Sequence, residues 1–376
     1  MTPRERYLET LLFGNPDRIP LSPGGPREST RKRWREEGLP DGVDYLDYVF
    51  EKIGVERERA RKPGADPGVD FRMIPVFEEK VLEHKDGHYI VLDWMGATTE
   101  ISDRFDYTYI RAAKDFVTRK WHRFPVQSRE EFREKIVWRY DPKAEGRFPK
   151  DFEERARRAK DRDTIIGINF NGPFWQLREW CGFEGLCTFM VDDPEFVEEM
   201  VDFWTNFVLE TMRPILRQFK LDRVGMSEDM AFKAHSMISP AMVRQFLKPA
   251  YDRWIPEIRR SGCPIIDMDS DGYIGELIPI WIEAGINVCD PIEVAAHNDI
   301  VQFRERFGHR MGYTGGIDKR AIAAGGRTIR EEIRRVEPVV RDGGYIPGCD
   351  HGVPPDISLP NFIEYTSLLA RMTGWL

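Results

Sequence analysis

The stretch "GYIPGCDHGVPPD", residues 344–356, sets a thiol and an imidazole two positions apart, Cys349 and His351, with Asp350 between them. Gly348 precedes the thiol, and Gly352, Val353, Pro354 and Pro355 follow the imidazole, a composition that stiffens a turn. Upstream, "PIIDMDSDG" carries Asp267, Asp269 and Asp271 at alternate positions. Alternate side chains of an extended strand share a face, so these carboxylates would line one side of one strand, and Cys349 and His351 one side of another. A thiolate, an imidazole and carboxylates brought together suit zinc better than magnesium or calcium. Carboxylates on a buried strand face are costly without a cation or donor, and the same groups can do acid/base work. The blander alternatives are a cysteine acting as a small apolar residue and Asp229, Asp271 or Asp318 acting only as helix caps.

The elements that must position these residues alternate regularly from about residue 160 onward. "DTIIGINF", "RVGMSED", "CPIIDMDSDG", "INVCDP", "RMGYTGGID" and "YIPGCDHG" read as strands, short apolar runs bounded by turn residues. Between them lie helical patterns. One starts at Pro194 with Phe196, Met200, Trp204, Phe207 and Val208 at helical spacing, and one is capped by Ser239, opened by Pro240 and stopped at Gly262. Strand–helix alternation implies parallel βα units. The expected fold is α/β, a (β/α)8 TIM barrel with an N-terminal extension containing a β-hairpin. A doubly wound sheet is the runner-up, weakened because no GxGxxG follows a strand. The expectation is one domain over 1–376, with 1–160 as extension and first elements and 161–376 as the regular units. Within the extension, "PRERYLETLLFG" predicts a helix, and "KVLEHKDGHYIVLDW" a hairpin turning at Asp86–Gly87 with His84 and His88 exposed.

Barrels of this kind place chemistry at the C-terminal ends of their strands. Reading those positions adds Asn169 and Asn171, Glu228 and Asp229, Asp290 and Glu293 with His297 beyond, and Asp318. Phe170, Phe174, Trp175 and Tyr273 would wall an apolar substrate or simply pack. Gly315 and Gly316 would turn backbone amides toward an anion or form a tight turn.

The bulk numbers bound the rest. A chain of 376 residues, 41% hydrophobic and 32% charged, is globular. A net charge of −8 argues against nucleic acid as partner. The five cysteines show no disulfide framework, which points to a reducing, cytoplasmic setting. No apolar run is long enough to predict a membrane span.

Several segments carry a resemblance: "MTPRERYLETLLFGNPDRIP", "MSEDMAFKAHSMISPAMVRQFLKPAYDR", "IIDMDSDGYIGELIPIWIEAGINVCDPIEVAAHND", "GGIDKRAIAAG" and "DGGYIPGCDHGVPPDISLPNFIEY". Together they resemble the uroporphyrinogen decarboxylase superfamily, which contains the haem-pathway decarboxylase and zinc-dependent methyltransferases that work with corrinoid proteins. The resemblance implies a TIM barrel. The decarboxylase's Arg-Gln-Ala-Gly-Arg run is absent, and in "SPGGPRESTRKR" only Arg27 is a loose counterpart. The methyltransferases' His-x-Cys pair reads Asp267-Met268-Asp269 here, and their later cysteine matches Cys349. The implied activity is a metal-assisted methyl transfer from a small donor, such as a methoxylated aromatic, to a corrinoid carried on a partner protein. Asp269, Cys349 and His351 are the expected zinc ligands, Glu228 and Asp267 the expected catalytic groups, and Asn169, Phe174, Trp175 and Tyr273 the expected substrate contacts. The alternatives are a porphyrinogen-type decarboxylase, disfavoured by an acidic mouth, and a non-catalytic binding subunit.

Overall fold

The computed structural model describes residues 1–105 and 118–376. Its centre is a six-stranded parallel sheet in sequential order: β5 (Gly167–Asn171), β6 (Arg223–Ser227), β7 (Ile265–Asp269), β8 (Val288–Asp290), β9 (Gly312–Ile317) and β10 (Tyr345–Cys349). The strands stand in step, so that Asn171, Ser227, Asp269 and Asp290 lie side by side at the C-terminal level. Sequential parallel order with a helix between neighbours is the winding of a TIM barrel, as the strand–helix alternation implied.

Irregular extended chain flanks both edges of the six. Along β10, the Cys349 amide donates to Pro23 O at 3.4 Å, and Pro26 bridges Val353 in parallel. Along β5, the Gly64 amide donates to Thr164 Oγ1 at 2.8 Å, and the Phe71 ring lies 5.3 Å from that of Phe170. These segments are rich in glycine and proline, which weaken a ladder. They flank the two edges of the six-stranded sheet without regular strand pairing.

The N-terminal helix, Pro3–Leu11, opens on a capping box between Thr2 and Glu5. Its Leu11 packs on Ile265, Val288 and Ile346 and closes the N-terminal end of the barrel. The predicted hairpin is present as β1 (Lys80–Lys85) and β2 (His88–Leu92), with Asp86 and Gly87 both at positive φ. It extends into a four-stranded antiparallel sheet through β3 (Thr98–Ser102) and β4 (Arg119–Arg123). The Pro194–Gln218 helix, the Ser239 cap and the stop at Gly262 form where the sequence places them. No helix among the described residues is long and apolar enough to cross a membrane.

Candidate functional site

Strand alternation sorts the sheet into two faces. Phe170, Met226, Met268, Cys289, Tyr313 and Tyr345 point outward into the large core under the helices. Residues of the opposite parity point into the barrel, where Ile265, Val288 and Ile346 meet the N-terminal helix. Above that apolar floor the lumen turns polar. Tyr7, Arg223, Asp267, Asp290 and Thr314 line a cavity of about 340 Å³.

Asp267 is buried in this lumen and holds Arg223 through two hydrogen bonds of 2.6 Å each, a fork on a carboxylate. Burial raises its pKa although Arg223 pulls the other way. One step toward the mouth, half-buried Asp269 accepts from Ser227 Oγ at 2.9 Å. Burial, then the neighbouring Asp290, push the Asp269 carboxyl up to about 7. Asp290 itself accepts from the Thr314 hydroxyl. Among the described residues no ion pair forms on Asp269, and this carboxyl at the open end of the barrel holds its proton near neutrality.

Glu228 follows β6 on the outward parity and is completely buried. It accepts from the Tyr251 hydroxyl and from the Trp175 amide at 3.0 Å. Those contacts bring it under the first turn of the Pro173–Cys181 helix, where Gly172 leaves room: a Cβ there would come within 2.2 Å of Glu228 Cδ. Burial raises Glu228 to about 7. The next residue, Asp229, turns the chain at a φ of 40° and is held by Arg178 at 3.0 Å.

The helix that Glu228 anchors presents Trp175 and Glu179 to two cavities, of about 600 and about 800 Å³, that share these two residues. Glu179 accepts from Trp175 Nε1 at 2.8 Å and from Gln176 Nε2 at 3.2 Å, and burial raises it to about 6. Asn169 is exposed and lines the smaller cavity. Phe174 is fully buried in the core, and Tyr273 folds back over Gly275.

At the ends of β8–β10, His351 Nε2 meets Asp271 Oδ2 at 3.4 Å, which raises the imidazole pKa. Buried Asp350 accepts from the Val294 and Lys319 amides at 2.9 and 3.1 Å, and Lys319 Nζ reaches Glu293 at 3.0 Å. Cys349 shares the outward parity of Tyr345, packs with the core and also lines the lumen cavity with Asp267 and Asp290; burial pushes its thiol up to about 12. Asp269 and Cys349 thus stand at the same end of the barrel, on opposite parities of their strands.

Among the described residues, no group of three or more His, Cys, Asp and Glu side chains could hold a metal ion. Asp269, Cys349 and His351, the expected zinc set, are not gathered into such a group: the thiol holds its proton, the imidazole is engaged by Asp271, and the Asp269 carboxyl accepts from Ser227.

Sequence reasoning passed over Arg223, which neutralises Asp267, and Glu179. The signal for Glu179 was available: Gly172-Pro173 opens a helix, and Glu179 stands four residues after Trp175 on one of its faces.

Residues 140–370, more than half of the chain, match the family described as "Uroporphyrinogen decarboxylase (URO-D)". No curated protein matches the sequence. Among solved structures, a methyltransferase from Methanosarcina mazei is similar over 99% of both chains, with a TM-score of 0.56 and 13% identity, a likeness of fold. A B12-independent methionine synthase from Shewanella sp. W3-18-1, in complex with selenomethionine, aligns over 61% of this chain and 67% of its own, at a TM-score of 0.40 and 14% identity. The strand order, the N-terminal plug and the matched segment agree: this chain belongs to the uroporphyrinogen decarboxylase family.

Proposed function

We propose that the protein is a methyltransferase that removes a methyl group from a small methylated oxygen donor, such as a methoxylated aromatic, and delivers it to a corrinoid protein. The observation that carries this reading is Asp269, a lumen carboxyl at the barrel mouth that accepts from Ser227, has its pKa at about 7 and forms no ion pair among the described residues. When the carbon–oxygen bond of a methyl aryl ether breaks, both bonding electrons stay on the oxygen and the methyl passes to the nucleophilic acceptor. The oxygen then needs a proton. A carboxyl that is still protonated near pH 7 supplies one, and such general-acid help is worth roughly 10²–10⁴ in rate. Ser227 orients that carboxyl, and Asp290 raises its proton affinity by like-charge repulsion. The acid is regenerated from solvent at the mouth.

The same lumen argues against a porphyrinogen-type decarboxylase. Arg223, the half-buried cation that lines the lumen cavity among the described residues, is already matched by Asp267, and Asp269 and Asp290 stand beside them. A substrate bearing many carboxylates would meet repulsion there. The test is direct: the pure chain is given a methoxylated aromatic with a reduced corrinoid protein, and in parallel uroporphyrinogen. Methyl transfer is expected. Decarboxylation of uroporphyrinogen without methyl transfer overturns the reading.

A further inference from the structure

The larger of the two cavities beside Trp175 is lined by a guanidinium that forms no ion pair among the described residues. Arg119 of β4 lies over the Trp121 ring, its Cζ 4.4 Å from the ring centroid, and Trp121 in turn stacks on Phe124 at 4.9 Å. All three line the cavity of about 800 Å³ that Trp175 and Glu179 border. The other arginines there are engaged: Arg123 with Glu131 at 2.6 Å, Arg178 with Asp229 at 3.0 Å. Arg119 Nη1, by contrast, is buried with no hydrogen-bond partner, and no ion pair forms on Arg119 among the described residues. Asp93 and Glu179 are its nearest negative groups, yet burial costs the cation more than they return, so its pKa is lowered. Asp93 is held by its own loop through Oδ1, which accepts from the Met95 and Ala97 amides at 3.0 and 2.9 Å, while its Oδ2 makes no hydrogen bond among the described residues. Glu179 is occupied by Trp175 and Gln176.

A half-buried guanidinium that lines the cavity without an ion pair among the described residues, set against indole and phenyl rings, matches a flat ring that carries a carboxylate. We propose that this cavity binds the ring and carboxylate of an aromatic carboxylic acid, the carboxylate accepting from the Arg119 guanidinium while the ring lies among Trp121, Phe124 and Trp175. The inference rests on the methyl-aryl donor reading and narrows it: the donor is a methoxylated aromatic acid, anchored by one carboxylate outside the acidic lumen. A single carboxylate held by one arginine is compatible with a lumen that repels a polycarboxylate.

Binding without turnover tests it. The probes are the three methoxybenzoate isomers and their uncharged methoxybenzamide counterparts, titrated calorimetrically against the full chain, Arg119→Gln and Arg119→Lys. Thermal unfolding checks that each variant is folded. A charge-assisted fork corresponds to a preference of roughly 10- to 100-fold for at least one benzoate over its amide. Arg119→Gln is expected to erase that preference and leave amide affinity within about threefold. Arg119→Lys, which keeps the charge and loses the fork, is expected to fall between and decides the matter where the glutamine variant does not fold. Equal binding of every acid and amide, a preference that survives in the variants, or no binding of any probe overturns the subsite. Selective benzoate binding by a protein that transfers no methyl group would uphold the subsite and sink the proposed reaction; methyl transfer from neutral methoxylated aromatics alone would do the reverse.

Discussion

Replacing Glu228 by Gln should make the protein's stability less sensitive to pH, and the size of the effect follows from the buried contacts. Both oxygens of Glu228 are enclosed, one by the Tyr251 hydroxyl and one by the Trp175 amide at the start of a helix. Burial raises its pKa from the ordinary 4.5 to about 7. An acid whose folded pKa lies above its unfolded one contributes stability that is whole below the unfolded value and is lost as pH rises through the folded one. The window is therefore pH 4.5 to 7, and the loss across it is about 3 kcal/mol from this residue alone. Gln cannot titrate. It also presents an amide hydrogen to a site built of donors, so the variant is expected to be less stable than the wild type at pH 4.5, by about 1–3 kcal/mol. As pH rises to 8, that deficit should shrink by about 3 kcal/mol and vanish or reverse. Urea midpoints of the two proteins at pH 4.5, 5.5, 7 and 8, with the slope held common, read the difference. A deficit that stays constant, or grows with pH, would refute the argument that Glu228 is held protonated by burial.

Other consequences are simpler to measure. Asp267→Asn removes the partner of Arg223 inside the lumen, and breaking a buried pair is expected to cost about 3–5 kcal/mol in denaturation; a loss below about 1 kcal/mol would mean that the pair is solvated. Cys349→Ala is expected to leave methyl transfer and metal content unchanged, because the thiol holds its proton and, among the described residues, is not gathered with other ligands into a metal-holding group. Loss of activity together with stoichiometric zinc, in a folded variant, would place Cys349 back among the ligands.

The regular half of the barrel was legible because parallel strands buried on both faces read as short apolar runs between helical stretches. The same property hid the direction of Cys349. All five residues of β10 are buried, so "YIPGC" offers no polar alternation from which a face could be read, and only the outward packing of Tyr345 fixes the register. Asp267 and Asp269 were legible as a lumen pair because their strand carries charge on one face alone. For Glu228 the strand-end position alone did not tell the face: it continues the outward parity of Met226, which places it under the first turn of the Pro173–Cys181 helix. β3 and β4 were not seen because β4, "RKWHR", is polar and mostly exposed, so no hydrophobic period marks it. Arg119 went unnoticed with it, since nothing in the sequence tells one arginine of a charged stretch from its paired neighbours.

The most direct test of the account is single-turnover methyl transfer from a methoxylated aromatic acid to a reduced corrinoid protein, followed from pH 5.5 to 8.5 in the wild type and in Asp269→Asn. With Asp269 as the proton donor, the wild-type rate should fall as pH rises through about 7. The variant should be slower by roughly 10²–10⁴ at pH 6 and lack that fall. A variant that transfers methyl groups at the wild-type rate, with the same pH dependence, would contradict the account.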